Sequence, residues 1–202
     1  ADYGNTTYDY TSMENHFATE ASQLLIYHAG VAVNMGYSPN GSGAWVLSGS
    51  NSTYSAMKNY FIYDHSIHAI ETNEYSTSQY RAILQSDLDN NQPIIYRGCS
   101  NDGCHAWNID GYDDDYFHNN FGWGGSNNGY YLLSALNGFN YDQGALVSIV
   151  PEELDNPNVV LTNTEYFETN GDGDEIINPG ESVDYYVTIE NYIPWNNANS
   201  VS

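Results

Sequence analysis

Residues 103 to 125, G-C-H-A-W-N-I-D-G-Y-D-D-D-Y-F-H-N-N-F-G-W-G-G, constrain the fold more than any other stretch of the chain. An apolar run from His105 to Ile109, a polar turn over Gly111 to Asp115 and a second run from Tyr116 to Phe121 spell out a β-hairpin. With the turn centred near Tyr112 and Asp113, cross-strand pairs share a constant index sum, which sets His105 opposite Asn120 to within about one residue. A histidine at a strand start, faced by an amide and followed by aromatics and glycines, supplies what a thiol or hydroxyl nucleophile needs. The imidazole takes the proton and the amide holds the ring in the useful tautomer.

The 202 residues suffice for one full core and part of a second domain. Three basic residues, Lys58, Arg81 and Arg97, stand against 26 acidic ones, a formal charge of -23. Such a field repels phosphate backbones and anionic lipid heads, which argues against nucleic acid or membrane partners. No apolar run approaches the roughly 20 residues of a membrane helix. Twenty tyrosines and a scarcity of lysine suit an extracellular chain. The chain opens on Ala1 and stops at Ser202 within a strand-like pattern, so it reads as an internal fragment.

Cys99 and Cys104 bracket a turn at a C-x4-C spacing, and either a small-loop disulfide or two unpaired thiols fits it. A structural zinc site lacks its second ligand pair. Strand alternation turns Cys104 and His105 to opposite faces, and Cys99 would need a tight turn to reach the imidazole, so neither serves as its nucleophile.

Along the chain, a capping-box pattern at Thr11 and Glu14 opens a helix running to Asn34, with Phe17, Ala21, Leu24, Leu25, His28 and Val31 inward and His28 a core histidine. A short helix follows over Thr53 to Phe61. Another, capped by Ser76 or Ser78, carries Tyr80, Ile83, Leu84 and Leu88 and ends at Asp89 to Asn91. Pro93 then opens a strand, I-I-Y-R, laid beside the strand of His105. Tyr130 to Leu133 and Val147 to Val150 supply the last strands of this domain. His118 alternates away from the site and reads as structural.

These residues resemble the streptopain-like cysteine peptidases, peptidase family C10, of papain-like fold. The matching stretches are G-C-H-A-W-N-I-D-G-Y at 103 to 112, F-H-N-N-F-G-W-G-G at 117 to 125 and S-N-N-G-Y-Y-L-L-S-A-L-N at 126 to 137. Y-H-A-G-V-A-V-N-M-G-Y-S-P-N-G-S-G-A at 27 to 44 and N-Q-P-I-I-Y-R-G at 91 to 98 fit the same pattern in the same order. The resemblance implies an α+β fold, the partial C-terminal part of a papain-like peptidase with an antiparallel sheet. It implies a cysteine endopeptidase acting on proteins and peptides, with His105 as general base, Asn120 as its orienter and Trp123 as a screen against water. It further implies a substrate wall that includes Ser42 and Gly43, with Gly103 and Cys104 beside the histidine, no catalytic cofactor, and a secreted or bacterial cell-surface location. In this family the nucleophilic cysteine lies upstream of the region matching residue 1, so the 202 residues are expected to be inactive alone. The alternative is an adhesion or binding protein that keeps the peptidase fold without catalysis.

The composition changes at Pro151. Residues 1–150 are assigned to the peptidase-like domain, 151–159 to an acidic linker and 160–202 to the truncated start of a β-sandwich that resembles immunoglobulin-like accessory modules. Between its strands, Asn170, Asp172, Asp174, Asn178 and Glu181 fall at the spacing of oxygen donors in a calcium loop. Glu175 occupies the place where the helix-loop-helix version needs glycine.

Overall fold

The computed structural model describes residues 1–39, 41–152, 159–170, 180 and 182–191, and the chain divides into two units, Ala1–Glu152 and Glu153–Ser202. The first unit is α+β. Its sheet has six strands, β1 (His68–Glu71), β2 (Ile94–Ser100), β3 (Gly103–Asp113), β4 (Tyr116–Asn120), β5 (Gly129–Leu132) and β6 (Tyr141–Val147). Their order is β1-β6-β2-β3-β4-β5, with every neighbouring pair antiparallel.

The sheet carries apolar clusters on both faces where β2 and β6 pair. Ile94, Tyr96, Ala145 and Val147 join Trp107, Ile109, Phe117 and Phe121 in the larger one, while Leu146 joins Leu47, Ile67 and Ile149 in the other. Helix α3 (Thr77–Asp89) covers the larger cluster with Tyr80 and Leu84, as its spacing predicts. Ser76 caps it in a reciprocal box with Gln79, satisfying backbone N–H groups that have no partner within the helix. Met57 and Tyr54 of α2 (Thr53–Tyr60) pack on the smaller cluster.

Helix α1 (Glu20–Ala32) differs from its sequence reading. It starts at Thr19, whose hydroxyl accepts from Ser22 N–H, rather than at Thr11. Thr11 sits in a 3-10 turn, Tyr10–Ser12, where Asp9 takes the capping role and accepts from Thr11 and Ser12. Its buried residues are His28, Gly30 and Ala32, whereas Phe17, Leu24 and Val31 are exposed. His28 is buried, with Nδ1 at 2.7 Å from the Tyr8 hydroxyl, the satisfied core histidine expected. The last strand also falls earlier than Val147–Val150, because the buried run is Gln143–Val147. Pro151 pairs with Tyr63, and Glu152 N–H donates to Ile62 O, so both belong to the first unit; residues 153–158 of the assigned linker lie outside the described residues.

In the second unit, β7 (Val159–Asn170) and β8 (Ser182–Asn191) form one long antiparallel hairpin, from Val159 opposite Asn191 to Asn170 opposite Ser182. Of the five oxygen donors at calcium-loop spacing, Asn170 ends β7, and Asp172, Asp174, Asn178 and Glu181 lie outside the described residues.

Candidate active site

The hairpin of β3 and β4 is longer than the sequence reading allows, and its turn is tighter. Strand β3 runs on to Asp113, and the turn is the two residues Asp114 and Asp115. Asp114 has φ of 53°, the left-handed conformation that tight hairpin turns ask of aspartate, asparagine or glycine. The register therefore pairs Asn108 with Asn120, Ile109 with Asn119 and Tyr112 with Phe117. Asn120 does not lie opposite His105. It stands beside Asn108, on the face away from Trp107 and Asn119, because each residue of slip turns a side chain to the other face.

His105 finds a different acceptor. Its Nε2 lies 2.9 Å from the backbone oxygen of Phe121, just past the end of β4. A carbonyl oxygen can only accept, so Nε2 carries the proton and Nδ1 carries the ring's lone pair. The tautomer expected from an orienting amide is thus imposed by a peptide carbonyl. Asn120 Oδ1 instead accepts from Gly122 N–H and from Asn128 Nδ2, each at 3.1 Å.

Aromatic rings hold the imidazole on several sides. Trp123 stacks on it with centroids 4.7 Å apart and planes at 24°, while Phe139 and Trp107 lie at 5.6 and 5.9 Å. Trp107 is fixed in turn by a 2.6 Å bond from its Nε1 to Asn119 Oδ1, both residues being buried. Trp123 thus lies against the imidazole, remains 40% exposed and forms part of a wall rather than of the core. The sequence reading missed Phe139, Asn119 and Asn128; the aromatic-glycine pattern of L-N-G-F-N at 136 to 140, like that of F-G-W-G-G, was the available signal for the first.

An open groove of about 480 Å³ runs past the ring, lined by Ser100, Asp102, Gly103, Cys104, His105, Trp123, Asn137, Gly138 and Phe139. Gly103 and Cys104 thus lie where substrate contact was expected. Ser42 and Gly43 do not line it: Gly43 exchanges both backbone hydrogen bonds with Gly36, which folds that loop back on itself. No Lys or Arg enters the groove. Arg81 pairs with Asp115, Arg97 with Glu71 at 3.0 Å, and Lys58 lies over the Tyr54 ring.

Cys99 and Cys104 are bonded to each other as directly opposed residues of β2 and β3, closing the turn at Asn101 and Asp102. The chain has two cysteines, so it contains no unpaired thiol. His118 points away from the groove and meets Asp110, the structural role expected of it.

Gly98, opposite His105, shows how closely the groove wall is packed. A methyl group there would sit 2.5 Å from the Phe139 backbone oxygen and 3.1 Å from the Trp107 ring. Gly98→Ala is expected to push the 137–140 wall outward and cost about 1–3 kcal/mol, measured by urea denaturation.

A histidine held as the Nε2–H tautomer and stacked on aromatic rings at the rim of a groove leaves its Nδ1 lone pair as an acceptor beside that groove. The comparisons supply the class: the peptidase C10 family model matches residues 1–131, and the chain belongs to that family. Streptopain from Streptococcus pyogenes is 34% identical over 161 residues, 74% of this chain and 39% of streptopain. The chain thus spans about two fifths of the length of that relative. The thiol protease/hemagglutinin PrtT of Porphyromonas gingivalis is 27% identical over 92% of this chain and 23% of its own length, an alignment that reaches into the second unit. Among solved structures, active wild-type interpain A from Prevotella intermedia superposes with a TM-score of 0.61 at 30% identity, covering 70% of this chain and 64% of that one. A mutant prointerpain A fragment gives 0.62 at 31%, covering 75% and 51%.

Proposed function

We propose that the first unit is the histidine-bearing part of a secreted or surface-located cysteine endopeptidase that hydrolyses peptide bonds in proteins. The observation that carries this reading is the His105 ring, its Nε2 donating to Phe121 O and its flank covered by Trp123, at the edge of a groove open to an extended substrate. Nδ1 is then the base that takes a thiol proton and returns it to the leaving amine, while the thiolate attacks the carbonyl carbon. The thiol comes from outside these residues, because both cysteines are used in the Cys99–Cys104 bond. The chain alone is accordingly inactive. Asn120 supports the histidine through the backbone rather than by facing it.

The test is a form extended toward the N-terminus and treated with an epoxide thiol probe, with and without His105→Ala. Labelling of one added cysteine, slowed at least about tenfold by the substitution, is expected. Labelling indifferent to His105, or found on Cys99 or Cys104, rejects the assignment.

A second reading, adhesion, draws support from the alignment with a protein named both thiol protease and hemagglutinin that continues into the second unit. There, Phe167, Tyr185 and Tyr186 are exposed on the hairpin. The 160–202 segment is read as the start of an immunoglobulin-like module and the 170–181 loop as a calcium site, both on sequence pattern.

A further inference from the structure

The carbonyl that holds His105 belongs to a peptide unit gripped from its other end. The Phe121–Gly122 peptide accepts from His105 Nε2–H at its oxygen and donates its N–H to Asn120 Oδ1. The same Asn120 oxygen accepts from Asn128 Nδ2, and Asn128 Oδ1 accepts from Phe121 N–H at 3.0 Å. No orientation in this circuit is free. Backbone N–H groups only donate, so both asparagines present oxygen to them, and this leaves Asn128 Nδ2 to donate to Asn120. The path runs from Asn128 through Asn120 and one peptide unit to the imidazole. From the imidazole through the peptide to Asn120 each bond polarises the next, while Asn128 Nδ2, a second donor to the same Asn120 oxygen, fixes where that oxygen sits. A charged imidazole draws harder on the carbonyl, and that demand passes to the Gly122 N–H and its acceptor.

The loop is rich in glycine at this point. Gly122, Gly124 and Gly125 hold φ of 75°, 62° and 90°, values open to glycine and entropically costly to keep. Trp123, the ring stacked on His105, sits between them. Asn128 thus fixes two things at once, the carbonyl that sets the tautomer and the start of the segment that carries the stacking ring.

We propose that Asn128 is a positioning residue for His105, acting through Asn120 and the Phe121–Gly122 peptide. Its role in hydrolysis rests on the peptidase reading; its hold on the imidazole does not. The experiment therefore uses the 202-residue chain with 15N-labelled histidine and long-range 1H–15N spectra, His105 being assigned by its absence in His105→Gln. The wild-type ring is expected as the Nε2–H tautomer. Asn128→Ala is expected to lower the ratio of Nε2–H to Nδ1–H about fivefold, the scale of one neutral hydrogen bond. Asn128→Asp keeps an acceptor for Phe121 N–H but loses the donor to Asn120, and is expected to lower the ratio in the same direction. Asn120→Ala combined with Asn128→Ala should add little to either alone, because both act on one circuit.

The other five histidines serve as internal controls, so a general loss of structure, which would move them all, is told apart from a local change. If Asn128→Ala does not fold, Asn128→Asp decides. An Nδ1–H ring in the wild type, or an unchanged ratio in a folded Asn128 variant, overturns the proposal. In the thiol-bearing form the same substitutions are expected to lower kcat with KM unchanged. A tautomer shift in a form that takes no epoxide and cleaves no peptide leaves the positioning role standing and removes the peptidase reading instead.

Discussion

Alanine in place of His105 is expected to lower kcat/KM for peptide cleavage by ~10²–10⁴ in the thiol-bearing form, the range set by loss of a positioned general base. The fold should survive, because the ring lies at the rim of the groove and is only partly buried. Its loss removes one hydrogen bond, to the Phe121 oxygen, and the stack with Trp123. His105→Gln makes the distinction sharper: its amide can still donate to that oxygen but offers no basic nitrogen, so it should be as impaired as the alanine variant. Peptide hydrolysis with burst-phase analysis separates a loss in acylation from a loss in binding. Activity within tenfold of wild type in both variants would take the proton transfer away from His105.

Trp107→Ala carries the largest expected cost in stability. The indole is buried among Tyr96, Phe121 and Phe139, with centroids at 5.2, 5.0 and 5.7 Å. Removing it forfeits about 3–5 kcal/mol of burial and packing. Asn119 Oδ1 loses its 2.6 Å donor inside the core, a further ~1–3 kcal/mol. Against the roughly 5–15 kcal/mol that holds a typical domain, the two together are a large fraction of the whole. Urea denaturation of Trp107→Ala and Trp107→Phe separates the two contributions, the phenylalanine variant losing mainly the buried hydrogen bond. If both variants unfold at the wild-type urea concentration, the aromatic cluster does not stabilise the sheet.

The hairpin and helix α3 were legible in the sequence, because each rests on a local pattern of period two or on a cap of fixed spacing, whereas the place of Trp123 beside His105 came from the family resemblance. Register was not. Three consecutive aspartates mark a turn without saying which two occupy it, and β3 reaches Asp113 with a bulge between Ile109 and Gly111. Slipping the pair by one residue exchanges the faces, and Asn119 and Asn120 stand side by side, so the sequence offers an amide to either face. His118 and Asn120 share a parity. The alternation that sent His118 away from the groove sends Asn120 with it. The start of α1 was misplaced for a related reason: Thr11 with Glu14 has the spacing of a capping box, but the cap is settled by where the following backbone turns, and the real one uses Thr19 with Ser22.

The bond between Cys99 and Cys104 ties the strand end that carries His105 to its neighbour, and its two ends differ in shelter, Cys99 buried and Cys104 exposed. A peptidase built this way has two sulfur requirements that pull apart. The attacking sulfur works only when reduced, while the sulfurs next to the base are joined only when oxidised. In the proposed thiol-bearing form, dithiothreitol added to wake the first is expected to reach the exposed end of the second, so that rates over a series of reductant strengths would describe two enzymes with different footing under the same imidazole.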